Sequence, residues 1–225
     1  MTGYGAVIFF LAVLVLPETH LTPTRIHIST VGKQLISTLK HPVFVGGSLI
    51  AGMAYGLILI FNAMGPFLLQ DSLKQTAVTY GYIALILGVG FFIGSIVNRL
   101  WASASPTFKI RLGAIILVIL SCFFVAYAFL QPMTLWGVAL PVFLFFTVTG
   151  FIYPNAMGTP MRLFPGFIGF AASFSGTIVF FVGFAMTLVA SIVSTQTLLP
   201  LAGLYLLVSF LILLFYLTLF NKMKT

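Results

Sequence analysis

Six apolar stretches, each about as long as a helix needs to cross a bilayer and each closed by a short polar segment, leave this 225-residue chain few folds to choose from. They run over 43–69, 77–97, 112–130, 135–157, 167–193 and 198–220, against a requirement of roughly 20 residues per crossing. A shorter stretch, 5–16, precedes them and is stopped by Pro17. With 61% hydrophobic and 5% charged residues, the chain has too little polar surface to cover a soluble globule of its size. The expected fold is therefore all-α: a polytopic membrane bundle of one short and six full transmembrane helices.

The basic residues orient that bundle. Arg25, Lys33 and Lys40 precede the first full span; Arg99, Lys109 and Arg111 join the second to the third; Arg162 follows the fourth; Lys222 and Lys224 follow the last. With alternating crossings these segments share one face, so nine of the ten Lys and Arg lie there and Lys74 alone lies opposite. The positive-inside rule makes the crowded face cytoplasmic. Seven crossings would then place the N-terminus outside and the C-terminus in the cytoplasm, in an inner (cytoplasmic) membrane. The net charge of +8 is accounted for by orientation, because it is spread over loops and helix ends instead of forming a surface for nucleic acid.

The first segment lacks the basic cluster that precedes a signal peptide's apolar region, so it reads as part of a helix, and the chain as beginning in the middle of something larger. Between it and the first full span, Ile28, Val31, Leu35 and Leu39 fall on one stripe at helical spacing. The stripe fits an amphipathic helix on the membrane surface, with a solvated linker as the alternative. The expected organisation is 1–17 as a helix remnant, 18–41 as a cytoplasmic amphipathic linker, 42–221 as a six-helix domain and 222–225 as a tail.

Small residues mark close helix contacts in membranes. Gly52 and Gly56 stand four apart in the first full span, Gly81, Gly88, Gly90 and Gly94 run through the second, and Gly169, Ser173, Gly176 and Gly183 form a strip in the fifth. Those three are expected to pack closely, while the bulky third and sixth spans are expected at the lipid-facing periphery. The spans also divide into two triplets, each opening on a helix interrupted by glycine and proline, the pattern of an inverted repeat. Asn62-Ala63-Met64-Gly65 in the first triplet is repeated as Asn155-Ala156-Met157-Gly158 in the second, each followed closely by proline, Pro66 and Pro160. Opposite helix directions put one copy near the outer end and the other near the inner end, where the gates of an alternating-access transporter belong.

Three segments carry a resemblance that covers the whole chain. Leu16-Pro17-Glu18-Thr19, the run from Gly81-Tyr82 through Gly94-Ser95 to Asn98-Arg99, and Gly150-Phe151-Ile152-Tyr153-Pro154-Asn155-Ala156 followed by the Gly169–Gly176 strip together resemble a major facilitator superfamily drug/proton antiporter of the bicyclomycin-resistance (Bcr/CflA) type. The matching portion is that family's C-terminal half plus its sixth helix; nothing corresponds to the first five helices. The resemblance implies a major-facilitator C-terminal domain of two inverted three-helix repeats, partnered by an N-terminal six-helix half-domain. The function it implies is export of drugs or small amphipathic metabolites by alternating access. No cofactor is implied beyond a proton gradient as the coupling ion.

Proton coupling ordinarily needs an ionisable side chain at membrane depth, and none falls there. Glu18 lies at a cytoplasmic helix end, Asp71 in an outer turn where it could cap the next helix, and His20, His27 and His41 in the linker without metal-ligand spacing. Cys122 sits alone in an apolar span. A substrate cavity must therefore use uncharged polar and aromatic side chains. The candidates are Tyr55 and Asn62 on one helical face, Phe151 and Asn155 on another, and Phe174 and Thr177 with Phe170; Tyr82 and Met157 are weaker choices. For the asparagines the alternative is hydrogen bonding between helices, and for the aromatics packing against lipid. Helix packing is assigned to Gly52, Gly56, Gly94, Gly169, Ser173 and Gly176.

No span holds the paired acids, Ser/His arrangement or metal cluster of an intramembrane enzyme, so no enzyme and no metal site are expected. A seven-helix receptor or retinal protein is disfavoured by the short first span and the absence of a lysine in the seventh. The closer rival to a working transporter half is a truncated remnant that transports nothing.

Overall fold

A computed structural model describes residues 2–15 and 28–220. All the described regular structure is helical: α1 Thr2–Val15, α2 Ile28–Lys40, α3 Pro42–Pro66, α4 Ala77–Leu100, α5 Pro106–Leu130, α6 Leu135–Met161, α7 Ile168–Ser191 and α8 Leu199–Phe215. A π-helical turn, Phe67–Ser72, prolongs α3, another, Tyr216–Phe220, prolongs α8, and a 3₁₀ turn, Pro165–Phe167, leads into α7. Six helices are long and apolar enough to cross a membrane, and α1 belongs to a shorter class. The protein is an all-α, multi-pass membrane bundle.

The chain divides into two compact units, Met1–Gln34 and Leu35–Thr225. In the first, the apolar α1 exposes Phe9, Phe10 and Leu14; Glu18, His20, Arg25 and His27 lie outside the described residues, as does the Leu16-Pro17 end of the expected first segment. The expected amphipathic stretch is helical as α2, but in its last turn Thr38 is the buried residue, its hydroxyl donating to the Leu35 carbonyl at 2.8 Å, while Leu39 is exposed.

In the second unit α3 and α6 form the centre. Of the most apolar eighteen residues of each span, 72% are buried in α3 with its π turn and 56% in α6, against 22% in α4 and 22% in α7. The packing partners repeat with a two-fold regularity. α3 packs on α7 as α6 packs on α4, α3 and α6 pack on each other, α5 and α8 do likewise, and α8 lies on α3 as α5 lies on α6. Exchanging α3 with α6, α4 with α7 and α5 with α8 reproduces this pattern, as two three-helix repeats of opposite direction require.

Local chemistry explains where the helices begin. Thr76, Ser105 and Thr134 stand in extended conformation and accept from the backbone N–H three residues on, at 3.1, 3.3 and 3.1 Å, each satisfying a donor that the first helical turn leaves free. Thr76, not Asp71, therefore caps α4, because Asp71 lies within the π turn that ends α3. With Ser105 capping and Pro106 at the first position, α5 starts at Pro106 instead of at 112, so Lys109 and Arg111 are helical and not part of a loop.

The bulky third and sixth spans, expected at the lipid-facing periphery, are α5 and α8, and both are more buried than the glycine-rich α4 and α7. α8 buries 39% of its most apolar eighteen residues, more than either glycine-rich helix α4 or α7. Its Tyr205 is fully buried, 4.5 Å from the Phe145 ring, and donates to the Leu57 carbonyl at 2.8 Å. Bulky side chains fill the outer layer by interdigitating, and much of the small-residue surface of α4 and α7 faces out of the bundle.

Candidate functional site

The two copies of the Asn-Ala-Met-Gly repeat meet different surroundings. Asn155 is 9% exposed, and its Nδ2 donates to Asn98 Oδ1 and to the Phe151 carbonyl, both at 2.8 Å. Lys109 Nζ donates to the same Asn98 Oδ1 and to the Asn98 carbonyl, each at 3.0 Å. Three helices, α4, α5 and α6, are thus tied at one end of the bundle by a lysine ammonium buried without a carboxylate. The ammonium is stabilised instead by amide oxygens, the acceptors available where no acid is at hand. For Asn155 the structure gives the interhelical hydrogen-bonding alternative. Asn62, in the first copy, is exposed and makes no side-chain hydrogen bond among the described residues.

Beside this clamp α4 and α6 touch through backbone. A Cβ on Gly94 would land on the Thr147 carbonyl, and one on Gly150 on the Phe91 carbonyl. Pro154 has no N–H to give the Gly150 carbonyl four residues earlier, and the Ser95 hydroxyl of α4 lies 3.3 Å from that carbonyl, its single proton shared with the Phe91 carbonyl of its own helix at 3.1 Å. The proline thus creates an acceptor that only a neighbouring helix can satisfy.

Around the middle of the spans, aromatic rings from four helices converge. Tyr55 of α3 and Tyr153 of α6 lie 6.1 Å apart, Phe180 of α7 meets Tyr55 edge-on at 6.3 Å, and Phe91 of α4 lies 6.5 Å from Tyr153. Both tyrosines are half-buried and Phe180 is 67% exposed, so the cluster opens out of the bundle. Neither tyrosine hydroxyl has a hydrogen-bond partner among the described residues. A phenol with an apolar body and an unpaired polar tip suits a face that meets a ligand or a wet cavity.

The other candidates are placed as follows. Phe151 is 7% exposed and packs edge-on against Trp101 at 6.1 Å, inside the α4–α6 contact. Phe174 stacks on the fully buried Phe44 of α3 at 6.0 Å and on Phe170 at 6.3 Å. Thr177 is exposed, its hydroxyl returned to the Ser173 carbonyl at 3.0 Å. Tyr82 is 64% exposed, and Met157 Sδ lies 3.5 Å from the Ser175 hydroxyl.

Gly52 and Gly56 face Val182 and Met186 of α7, and Gly94 faces α6. Gly169 and Gly176 meet no neighbour, and Ser173 is exposed. The face of α7 that meets α3 carries Ala171, Ser175, Val179 and Gly183 instead, about one helical step away, with Ser175 Oγ 2.8 Å from Ser48 Oγ.

Sequence reading passed over Tyr153, Asn98 and Lys109. Tyr153 had a signal, since it directly precedes the helix-interior Pro154 and lies two residues from the repeated asparagine. Lys109 had none, because a basic residue between spans reads as a loop charge. Among the described residues no three His, Cys, Asp or Glu side chains approach one another as metal ligands would. Compared with known proteins, the chain matches no family model and no curated sequence.

Proposed function

We propose that this chain is the C-terminal half of a secondary active transporter of the major facilitator superfamily, of the bicyclomycin-resistance (Bcr/CflA) type. In this reading it exports drugs or small amphipathic metabolites by alternating access, driven by the proton gradient. The observation that carries the reading is the aromatic face. Tyr55, Tyr153, Phe91 and Phe180 come from the two central helices and the two least buried ones, on a surface opening away from the bundle. Open glycines on α4 and α7, Gly81, Gly88, Gly169 and Gly176, leave room for the backbone of a second helical domain to approach.

In this reading the N-terminal half-domain closes over the aromatic face and encloses the cavity. Rings and uncharged hydroxyls hold an amphipathic substrate by stacking and a few hydrogen bonds. The only carboxylate among the described residues is Asp71, near the end of α3, so the proton-carrying group belongs to the partner half. Asn62 and Asn155 occupy corresponding places near the C-terminal ends of α3 and α6, with the Asn155 clamp closed and Asn62 free.

The test is efflux of an amphipathic dye from cells expressing the chain alone, a six-helix N-terminal half alone, or both. Export only with both halves, collapsing when a protonophore dissipates the gradient, is the expected result. Export by the chain alone overturns the half-transporter reading, and no export with any partner half favours the remnant.

A further inference from the structure

α7 ends differently from the spans around it. After the π turn of α3, and after α4, α5 and α6, an N–H of the following turn returns to a carbonyl of the helix: Leu73 to Leu68, Trp101 to Val97, Gln131 to Tyr127 and Leu163 to Pro160. No N–H from Val193 onward does this for α7 among the described residues. The Ser191 hydroxyl donates to the Leu188 carbonyl at 2.8 Å, which leaves the carbonyls of Val189, Ala190 and Ser191 without a donor. Such groups must find a partner outside the helix, and they carry the negative end of its dipole.

A cavity of about 320 Å³ lies at this end of the helix. Ala63 and Phe67 of α3 and its π turn line one side, Ala190 and Ser191 the other, and Val193 and Thr195 the space beyond the helix end. This is the lower end of the size range of small-molecule sites. The Ser72 hydroxyl donates to the Thr195 carbonyl at 2.8 Å, so the turn bounding the cavity is pinned to the α3 side. Helix carbonyls point along the axis toward the C-terminus, here toward the space that Val193 and Thr195 bound. Ser191 adds lone pairs, its proton being taken up by Leu188. Phe67, 53% exposed, supplies a ring, and no charged side chain lines the cavity.

The geometry points to a binding site for a small organic ammonium, its N–H donors on the free carbonyls of α7 and its apolar body against Phe67, Ala63 and Val193. Positive charge is favoured at a helix C-terminus and beside an aromatic ring, whereas an anion would meet the negative end of the dipole. Eight residues of α3 separate Ala63 from Tyr55 of the aromatic face, about 12 Å along the helix. The site is thus separate from that face and does not rest on the function proposed for it.

Benzylammonium, benzyl alcohol and benzoate share a ring and differ in charge. Each is titrated calorimetrically into the full chain in phosphatidylcholine nanodiscs, with empty nanodiscs as the blank. Benzylammonium is expected to bind about tenfold more tightly than the alcohol, and benzoate not at all. Ala63→Phe, which fills the cavity, should abolish binding while the chain still elutes as the parent does. Phe67→Leu should weaken binding about threefold, and Phe67→Tyr, which keeps the ring and controls for folding, should preserve it. Equal affinity for the ammonium and the alcohol, or undiminished binding in A63F, overturns the proposal. Asp71 adjoins Ser72 but does not line the cavity, so Asp71→Asn should leave binding in place, and its loss there would assign the ammonium to that carboxylate and overturn the site. Repeating the titration in phosphatidylethanolamine separates two sources of an ammonium. Undiminished binding supports a soluble amine as the occupant, and competition by the lipid overturns that in favour of its headgroup.

Discussion

Asn155 and Asn62 show how one side chain takes different work from its neighbours. Asn155 completes a chain of hydrogen bonds that ends on a buried ammonium, so Asn155→Leu should leave Asn98 and Lys109 underpaired. We expect it to lower stability by about 1–2 kcal/mol, the range for interhelical polar contacts in membranes and for orphaned buried groups, read by thermal unfolding in detergent. Asn62→Leu should leave the unfolding temperature unchanged, since nothing described bonds to that side chain. Equal losses in the two variants would remove the distinction. Thr149 supplies the reverse case. It is fully buried, and its hydroxyl has no partner among the described residues, so Thr149→Val keeps the shape and discards an unpaired polar atom. Unchanged or higher stability, by up to about 1 kcal/mol, is expected in the same assay, and a clear loss would reveal a hydrogen bond to that hydroxyl.

At the scale of the helix, α6 is decided by its prolines. Pro154 frees the Gly150 carbonyl, and the Ser95 hydroxyl of α4 divides its proton between that carbonyl and the Phe91 carbonyl of its own helix, so the defect in one helix becomes a contact between two. Ser95→Ala should cost about 0.6 kcal/mol, the mean for such bonds in membranes. In a Pro154→Ala background, where a backbone N–H is restored, the same substitution should cost less. A double-mutant cycle measures the coupling, and strict additivity would refute this account of the pair. The glycines of α4 separate by the same logic. Gly94→Val must drive apart two helices in backbone contact and should prevent a folded, monodisperse product, whereas Gly88→Val, with open space beyond it, should fold like the parent.

Over the whole molecule the asymmetry lies in the outer surfaces of α4 and α7, which combine exposed aromatic and aliphatic side chains with glycines that touch nothing in the bundle. If a second half-domain covers those faces, Gly88→Trp and Gly176→Trp should leave the isolated chain folded and abolish dye export on co-expression with that half. Export at the parental rate in both variants would place the partner, or the function, elsewhere.

Much of this architecture could be read along the chain because a bilayer leaves backbone few options. Hydrogen bonds must close within each segment, so runs of apolar length declared the six spans, whereas the caps Thr76, Ser105 and Thr134 emerged only with the helices they start. The pairing of triplets could be read too, since the repeated Asn-Ala-Met-Gly lies at similar depth in α3 and α6. Tertiary structure decided which side of each helix meets protein. A stripe of small residues suits contact with any helix, and composition does not say whether the neighbour lies in the same bundle. Gly94 and Gly150 are therefore in contact while Gly169 and Gly176 stand open. Packing also decided that Lys109 is buried, because three helices had to converge before Asn98 could offer it both oxygens. It decided as well that Tyr55 meets Tyr153, 98 positions further along the chain, a distance over which no local pattern carries information.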